Sequence, residues 1–168
     1  MSAPAEAAHP AVPQIRVGTG FDVHAYDAGS PLRLAGLDWP GETGLSGHSD
    51  GDAVCHAVVD ALLSAAGLGD IGGLVGVDQP ETEGAASTGF VRLALARLNA
   101  HGWRPVNVSV QIVGNRPKFS PRRDEAQRIM SDLVGAPVSL GATTTDHLGF
   151  TGRGEGLAAI ATALIARA

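Results

Sequence analysis

The chain has 168 residues, a formal net charge of -5 and one cysteine. A chain of this length fits one domain that buries roughly 70% of its unfolded surface, so the core needs no disulfide. The acidic balance argues against a nucleic-acid binder, which would carry a basic face. Cys55 has no partner for an internal disulfide, and no apolar run approaches the roughly 18 residues of a membrane span. We expect a cytoplasmic protein that binds neither nucleic acid nor membrane.

The N-terminal segment, residues 1–14, has no basic start and no apolar stretch, so it does not have the pattern of a secretory signal. We expect a disordered tail over these residues. The remainder, residues 15–168, is predicted to be a single domain.

The first half of this domain is predicted to form two strands and a helix. Alternating apolar residues indicate strands over 15–21 and 32–37, and a glycine-rich link follows. From Asp52 the apolar positions recur at helical spacing. Ser49 or Asp50 is the predicted N-cap of that helix.

The second half continues the alternation of helices and strands. The patterns predict a loop over 69–84, helices over 87–100 and 121–134, and strands over 106–113 and 138–144. This order predicts an α/β fold, specifically an α+β sandwich: a single mixed β-sheet covered by helices on one face. Such a sheet leaves an uncovered face that invites assembly with other copies.

Three metal-binding side chains stand out in the first half. Asp22 and His24 are two residues apart on a predicted strand, so both side chains point to one face. His56 on the following helix can complete a set of three ligands. Three protein ligands leave a fourth position open, as in catalytic zinc sites. The spacing alone is a weak signal, because short motifs of this kind often occur by chance.

Further motifs accompany these residues along the whole chain. In order they are Arg16-Val-Gly-Thr-Gly-Phe-Asp-Val-His24, Gly47-His-Ser-Asp-Gly-Asp52, Leu68-Gly-Asp-Ile-Gly72, Arg116-Pro-Lys118, Ala142-Thr-Thr-Thr145 and Leu148-Gly-Phe-Thr-Gly-Arg-Gly-Glu-Gly156. Their order and spacing resemble the 2-C-methyl-D-erythritol 2,4-cyclodiphosphate synthases of non-mevalonate isoprenoid biosynthesis. The resemblance covers the chain from about Ile15 to its C-terminus.

The resemblance implies an activity and an assembly. The family converts 4-diphosphocytidyl-2-C-methyl-D-erythritol 2-phosphate to 2-C-methyl-D-erythritol 2,4-cyclodiphosphate and releases CMP. It forms homotrimers with active sites at the subunit interfaces, and the central cavity of some members holds an isoprenoid diphosphate. The resemblance also implies a strand over 156–168, although the alanine and leucine content there favours a helix. We predict the strand.

The resemblance also implies roles for individual residues. Asp22, His24 and His56 hold Zn²⁺, and Asp60, one helical turn later, orients His56 or else faces solvent. Residues implied to bind the substrate are His48, Ser49, Asp70, Gly72, Lys118, Thr144, Thr145, Phe150 and Arg153, and those implied to line a cytosine pocket are Gly114, Asn115, Pro117 and Phe119. Simpler roles remain open: helix capping for Ser49, an ordinary turn at 68–72, and an ion pair between Arg153 and Glu155.

Two positions depart from the family pattern. Asp146 stands where the family usually has a Glu that ligates a second ion, Mg²⁺ or Mn²⁺, across the diphosphate. Because Asp is shorter, its contact with that ion can run through water. Val77 stands where an aspartate is expected, so the role of that aspartate is either lost or taken over by Asp78.

Two other classes of protein fit the same ligand set. A zinc phosphohydrolase would use metal-bound water as nucleophile and need no cytidine. A non-catalytic trimeric binder of nucleotide or isoprenoid diphosphates would keep the pocket without turnover. The departures at Val77 and Asp146 are the support for this second alternative.

Overall fold

The computed structural model describes residues 14–47, 49–76 and 84–168. Predictions on residues 1–13, His48, Val77 and Asp78 fall outside these ranges and stay predictions.

The described residues form a five-stranded sheet with helices packed on it. The strands are β1 (Ile15–Leu34), β2 (Leu37–Leu45), β3 (Trp103–Val113), β4 (Val138–Thr143) and β5 (Gly156–Arg167), and the helices are α1 (Ala53–Ala66), α2 (Ile71–Val75), α3 (Ser87–Ala100), α4 (Arg123–Val134, preceded by a 3-10 turn at Ser120–Arg122) and α5 (Gly149–Gly152). The strand order is β2-β1-β5-β3-β4. Strands β3 and β4 are parallel and the other pairs are antiparallel, so the predicted mixed sheet is confirmed.

Strand β1 differs from its prediction. It runs unbroken from the first predicted strand to Leu34, so the second predicted strand, 32–37, contains the hairpin turn, and the predicted glycine-rich link forms β2 instead. The turn signals between Asp27 and Pro31 become a register shift in the β1–β2 pairing, so they bend the strand without ending it. The chain reverses at Ala35 and Gly36, where both φ angles are positive, as two-residue hairpin turns require.

The C-terminal segment forms a strand, as predicted against its helix propensity. Strand β5 lies between β1 and β3 and pairs with both along its length. Ala159, Ala161 and Ala163 are fully buried. Two-sided pairing satisfies the backbone of β5 in the sheet, so tertiary context outweighs the local preference for helix.

Helix α1 lies directly on β1 at two glycines. A Cβ on Gly18 would lie 2.2 Å from the nitrogen of Ala65, and one on Gly20 would lie 2.0 Å from the oxygen of Ala57. Any side chain at these positions would push the helix away from the strand. The two glycines therefore set the distance between β1 and His56 on α1.

The start of α1 corrects the predicted N-cap. Asp52 caps the helix, in place of Ser49 or Asp50, and its carboxylate accepts from the backbone of Val54 and Cys55. The same carboxylate accepts from the N–H groups of the β1–β2 turn at Ala35 (2.9 Å) and Gly36 (2.6 Å). Asp52 is almost fully buried, so this one side chain joins the hairpin to α1.

The second face of the sheet is open. On β1 the side chains of Val17 and Phe21 are 64% and 57% exposed, and Ile160 of β5, which pairs with Phe21, is 40% exposed. We call this surface the open face.

None of the helices in the described part of the chain is long and apolar enough to cross a membrane.

Candidate active site

Asp22, His24 and His56, called the metal trio below, meet between β1 and α1. Nε2 of His24 lies 2.8 Å from Oδ2 of Asp22, and Nδ1 of His56 lies 3.3 Å from the same oxygen. The two ring nitrogens are 3.1 Å apart. The alternation of β1 turns Asp22 and His24 toward the helix, and the glycine contact brings His56 to them.

These distances fit a metal ion. A tetrahedral ion with bonds of about 2.0–2.1 Å needs donor atoms about 3.3 Å apart, close to the separations in the metal trio. Oδ2 of Asp22 is buried, and no group in the described ranges 14–47, 49–76 and 84–168 donates a well-oriented hydrogen bond to it. A buried carboxylate oxygen without such a donor is costly unless a cation satisfies it. The trio therefore has the donors and the spacing of a metal site.

The local charges agree with this interpretation. Burial by itself would raise the pKa of Asp22, but the neighbouring His24 and His56 rings outweigh it and lower that pKa below its usual range. Burial likewise opposes protonation of His24, and contact with Asp22 reverses the effect, so the pKa of His24 is raised. The carboxylate thus stays ionised, which is the form that binds cations.

The outer nitrogen of each ring has its own partner. Nδ1 of His24 donates to the carbonyl oxygen of Ser46 at 2.5 Å, which leaves the lone pair of Nε2 toward the trio. Nε2 of His56 lies 2.9 Å from the hydroxyl of Ser87 and 3.0 Å from that of Ser49. The two histidines therefore use opposite ring nitrogens toward the same point.

The carboxylate of Asp60 contacts the backbone at the start of α2. Its carboxylate accepts from the backbone N–H of Ile71 at 2.7 Å and so ties α1 to the start of α2. Burial raises the pKa of Asp60. The outer nitrogen of His56 contacts Ser87, which lies 31 residues away, so no local spacing in the sequence could have indicated this contact.

A cavity of about 320 Å³ opens beside the trio. Its lining includes Arg33, Gly47, Ser49 and Asp50. A Cβ on Gly47 would lie 3.1 Å from the His24 ring, so this glycine keeps the wall next to the trio thin. The structure therefore places Ser49, a predicted substrate contact, on the wall of this cavity as well as against His56.

Residues 114–119, called the base segment below, follow β3 and are held in place from several sides. Asn115 donates to the carbonyl of Gly152 at 2.9 Å, and the hydroxyl of Tyr26 donates to the carbonyl of Arg116 at 2.8 Å. Pro117 and Phe119 are buried, and Phe119 stacks on Trp39.

The rest of the base segment offers small and cationic groups. Gly114 is half-buried, and a Cβ there would lie 3.1 Å from the Tyr26 hydroxyl. Lys118 is exposed. The segment therefore presents backbone groups and the exposed ammonium of Lys118.

The threonine motif ends β4 in a turn. Thr144 donates to the carboxylate of Asp146 at 3.0 Å, and Thr145 donates to the carbonyl of Leu148 at 2.6 Å. Asp146 has a φ of 49°, in the left-handed region that Asp tolerates better than most residues. Its carboxylate is exposed.

Three remaining predictions concern exposed groups. Asp70 caps α2 by accepting from Gly73 at 2.8 Å, so the turn at 68–72 has a structural role, and Gly72 lies within that helix. Arg153 and Glu155 form a two-bonded ion pair (2.7 and 3.1 Å) on the surface of the chain. Phe150 is 37% exposed.

A carboxylate and two histidines with the spacing of a metal site, beside a cavity, are typical of a metal-dependent enzyme of the α/β class. A sequence model of the YgbB family matches residues 15–166. The chain is 56% identical, over 92% of each chain, to the 2-C-methyl-D-erythritol 2,4-cyclodiphosphate synthase of Cutibacterium acnes. It is 64% identical over 92% of its length to the bifunctional enzyme IspD/IspF of Clavibacter michiganensis, of which it spans 38%.

A solved structure agrees with these matches. A 2C-methyl-D-erythritol-2,4-cyclodiphosphate synthase solved in a CDP-bound form has a TM-score of 0.81 and 37% identity, over 89% of this chain and 99% of that one. The chain therefore belongs to the 2-C-methyl-D-erythritol 2,4-cyclodiphosphate synthase family.

Proposed function

We propose that this chain cyclises 4-diphosphocytidyl-2-C-methyl-D-erythritol 2-phosphate to the 2,4-cyclodiphosphate and CMP. An oxygen of the 2-phosphate attacks the β-phosphorus, and the bond from that phosphorus to the α-phosphate oxygen breaks, so the electron pair leaves with CMP. The observation that carries the proposal is the metal trio in a chain of this family.

The attacking group needs little help from the protein. A phosphate monoester has a second pKa near about 6, so it is largely ionised at neutral pH and needs no general base. Catalysis then consists of positioning and of neutralising charge on the phosphoryl oxygens. The site fits this requirement, because its polar groups can bind the substrate and orient its phosphates.

Asp22, His24 and His56 are the residues that hold the metal in this proposal, and we assign it as Zn²⁺. When bound, zinc supplies Lewis-acid polarisation of a β-phosphate oxygen. Lys118 neutralises the negative charge of a phosphate, because its ammonium is a compact positive charge. His48 and Ser49 contact the methylerythritol phosphate, Asp70 and Gly72 the ribose, and Thr144 and Thr145 the diphosphate.

The base segment is proposed to hold cytosine. Small residues and backbone groups let a base approach closely, and buried Pro117 and Phe119 keep the backbone rigid. The CDP bound to a relative with the same fold supports a cytosine nucleotide as ligand. Asp146 is proposed to hold a second ion, Mg²⁺ or Mn²⁺, which would neutralise negative charge on the diphosphate.

The assembly is proposed to be a homotrimer built through the open face. Exposed Val17, Phe21 and Ile160 form an apolar surface that a monomer would leave in water. In a three-fold ring each interface is heterologous, so the metal trio of one subunit meets the base segment of the next. Phe150 and Arg153 line its central cavity, where an isoprenoid diphosphate can bind. We place the enzyme in the cytoplasm.

One experiment separates this function from its alternatives. The purified protein is incubated with the diphosphocytidyl phosphate substrate, Zn²⁺ and Mg²⁺, and the products are followed by phosphorus NMR. We expect the cyclic diphosphate and CMP in equal amounts. The open-chain bisphosphate with CMP would instead indicate a hydrolase, and bound but unconverted substrate would indicate a non-catalytic binder.

A further inference from the structure

The partner of His56 on its outer side is itself part of a chain of hydrogen bonds. Ser87, the first residue of α3, is fully buried, and its hydroxyl lies 2.9 Å from Nε2 of His56. The same hydroxyl donates to the carboxylate of Asp50, which also accepts the backbone N–H of Ser87 at 3.1 Å. Asp50 thus caps α3 from a loop, at a helix start where Ala86 has no side chain that can do so.

The direction of these bonds is determined by chemistry. An ionised carboxylate only accepts hydrogen bonds, so the single hydroxyl proton of Ser87 points to Asp50. The Ser87 oxygen is then left with lone pairs, and it can only accept from His56. Nε2 of His56 must therefore carry the ring proton, which leaves the lone pair of Nδ1 facing Asp22 and His24.

We propose that Asp50 and Ser87 are positioning residues that select the metal-binding tautomer of His56 and hold its ring toward the trio. This inference rests on the proposed metal site and adds two residues to it. It also makes α3 part of the site, because the first turn of that helix carries the hydroxyl. Outer hydrogen-bond partners of metal-bound histidines commonly change metal affinity by roughly 10- to 100-fold.

The hydroxyl of Ser49, the second one near Nε2 of His56, is compatible with these hydrogen-bond directions. The hydroxyl of Ser49 lies 3.3 Å from that of Ser87, whose remaining lone pair can accept its proton. Ser49 also lines the cavity beside the trio, so it has a partner on the substrate side. The tautomer is therefore set by Asp50 and the buried Ser87.

The test measures metal affinity, which is separate from turnover. Zn²⁺ dissociation constants are determined by competition with a chelator for the wild type and for Ser87→Ala, Asp50→Asn, Ser49→Ala and Asp22→Ala. Thr88→Ala is the matched control, since it removes a half-buried hydroxyl from the next residue of the same helix. Melting temperatures of the metal-free proteins and visible spectra of the Co²⁺-loaded proteins are recorded for each.

We expect Ser87→Ala and Asp50→Asn to bind Zn²⁺ roughly 10- to 100-fold more weakly and to alter the Co²⁺ spectrum, while Thr88→Ala matches the wild type. If Ser87→Ala lowers only the melting temperature and keeps wild-type affinity, its role is structural and the inference is wrong. The same holds if Ser49→Ala alone weakens binding. If the wild type binds no Zn²⁺, or Asp22→Ala binds as tightly, the proposed metal site itself fails.

Discussion

The metal trio and the base segment are built in different ways. The trio consists of side-chain atoms from a strand and a helix that meet within 3.3 Å. The base segment offers backbone groups, and its own buried side chains, Pro117 and Phe119, anchor it. A site made of side chains can be removed by one substitution, whereas a site made of backbone is sensitive mainly to loss of its supports.

The largest effect is expected at the trio. His56→Ala and Asp22→Ala each remove one of three protein ligands, so cyclisation should fall below detection. The fold should persist, because α1 is held by core packing and by Asp52. Turnover, metal content and circular dichroism check this. Full zinc occupancy in both variants would contradict the assignment.

In the base segment the side chain that matters is expected to be Lys118. Lys118→Ala should lower kcat/KM by roughly 10²–10³, the usual cost of one charged or polar donor to a reacting oxyanion. Lys118→Arg should recover part of it, since it keeps the charge but not the compact shape. Steady-state kinetics with zinc content measured in parallel check the result. Loss of zinc from Lys118→Ala would show that the two regions are not independent.

Mixing the two low-activity variants tests whether the metal trio and the base segment act together across a subunit interface. His56→Ala and Lys118→Ala chains are combined in equal amounts, unfolded and reassembled. Random assembly joins an intact trio to an intact base segment in about one half times one half, roughly a quarter, of interfaces. Activity should return to about that fraction of refolded wild type. A mixture as inactive as each parent treated alone would place both residues in one chain's site.

The smallest effect is expected at Asp146. Asp146→Asn should raise the Mg²⁺ concentration needed for half-maximal rate several-fold, because the proposed ligand of the second ion loses its negative charge. Asp146→Glu should retain much activity. Mg²⁺ titrations at saturating substrate measure both. An unchanged titration for the Asn variant would move the role elsewhere, with Asp78 the first candidate.

The sequence pattern predicted the placement of a side chain correctly where that placement depends on neighbouring residues in the same strand or helix. The i, i+2 spacing of Asp22 and His24 predicted that they share a face, and helical spacing predicted α1 with His56 on it. It was less reliable at strand ends. The turn signals after Asp27 suggested a break, but pairing with β2 continues β1 through them.

The amino-acid sequence by itself determined the mixed sheet with its main helices, the three candidate metal ligands and the family, but it did not predict β2, α5 or the short helix α2, which lies inside the predicted loop over 69–84. Only the tertiary structure decided what holds them: Gly18 and Gly20 against α1, Asp52 between hairpin and helix, and Ser87 against His56. These contacts join residues that are 16 to more than 40 positions apart. Periodicity reports only on neighbours within a turn or a strand, so the partners of a buried polar group become visible only when the chain is packed.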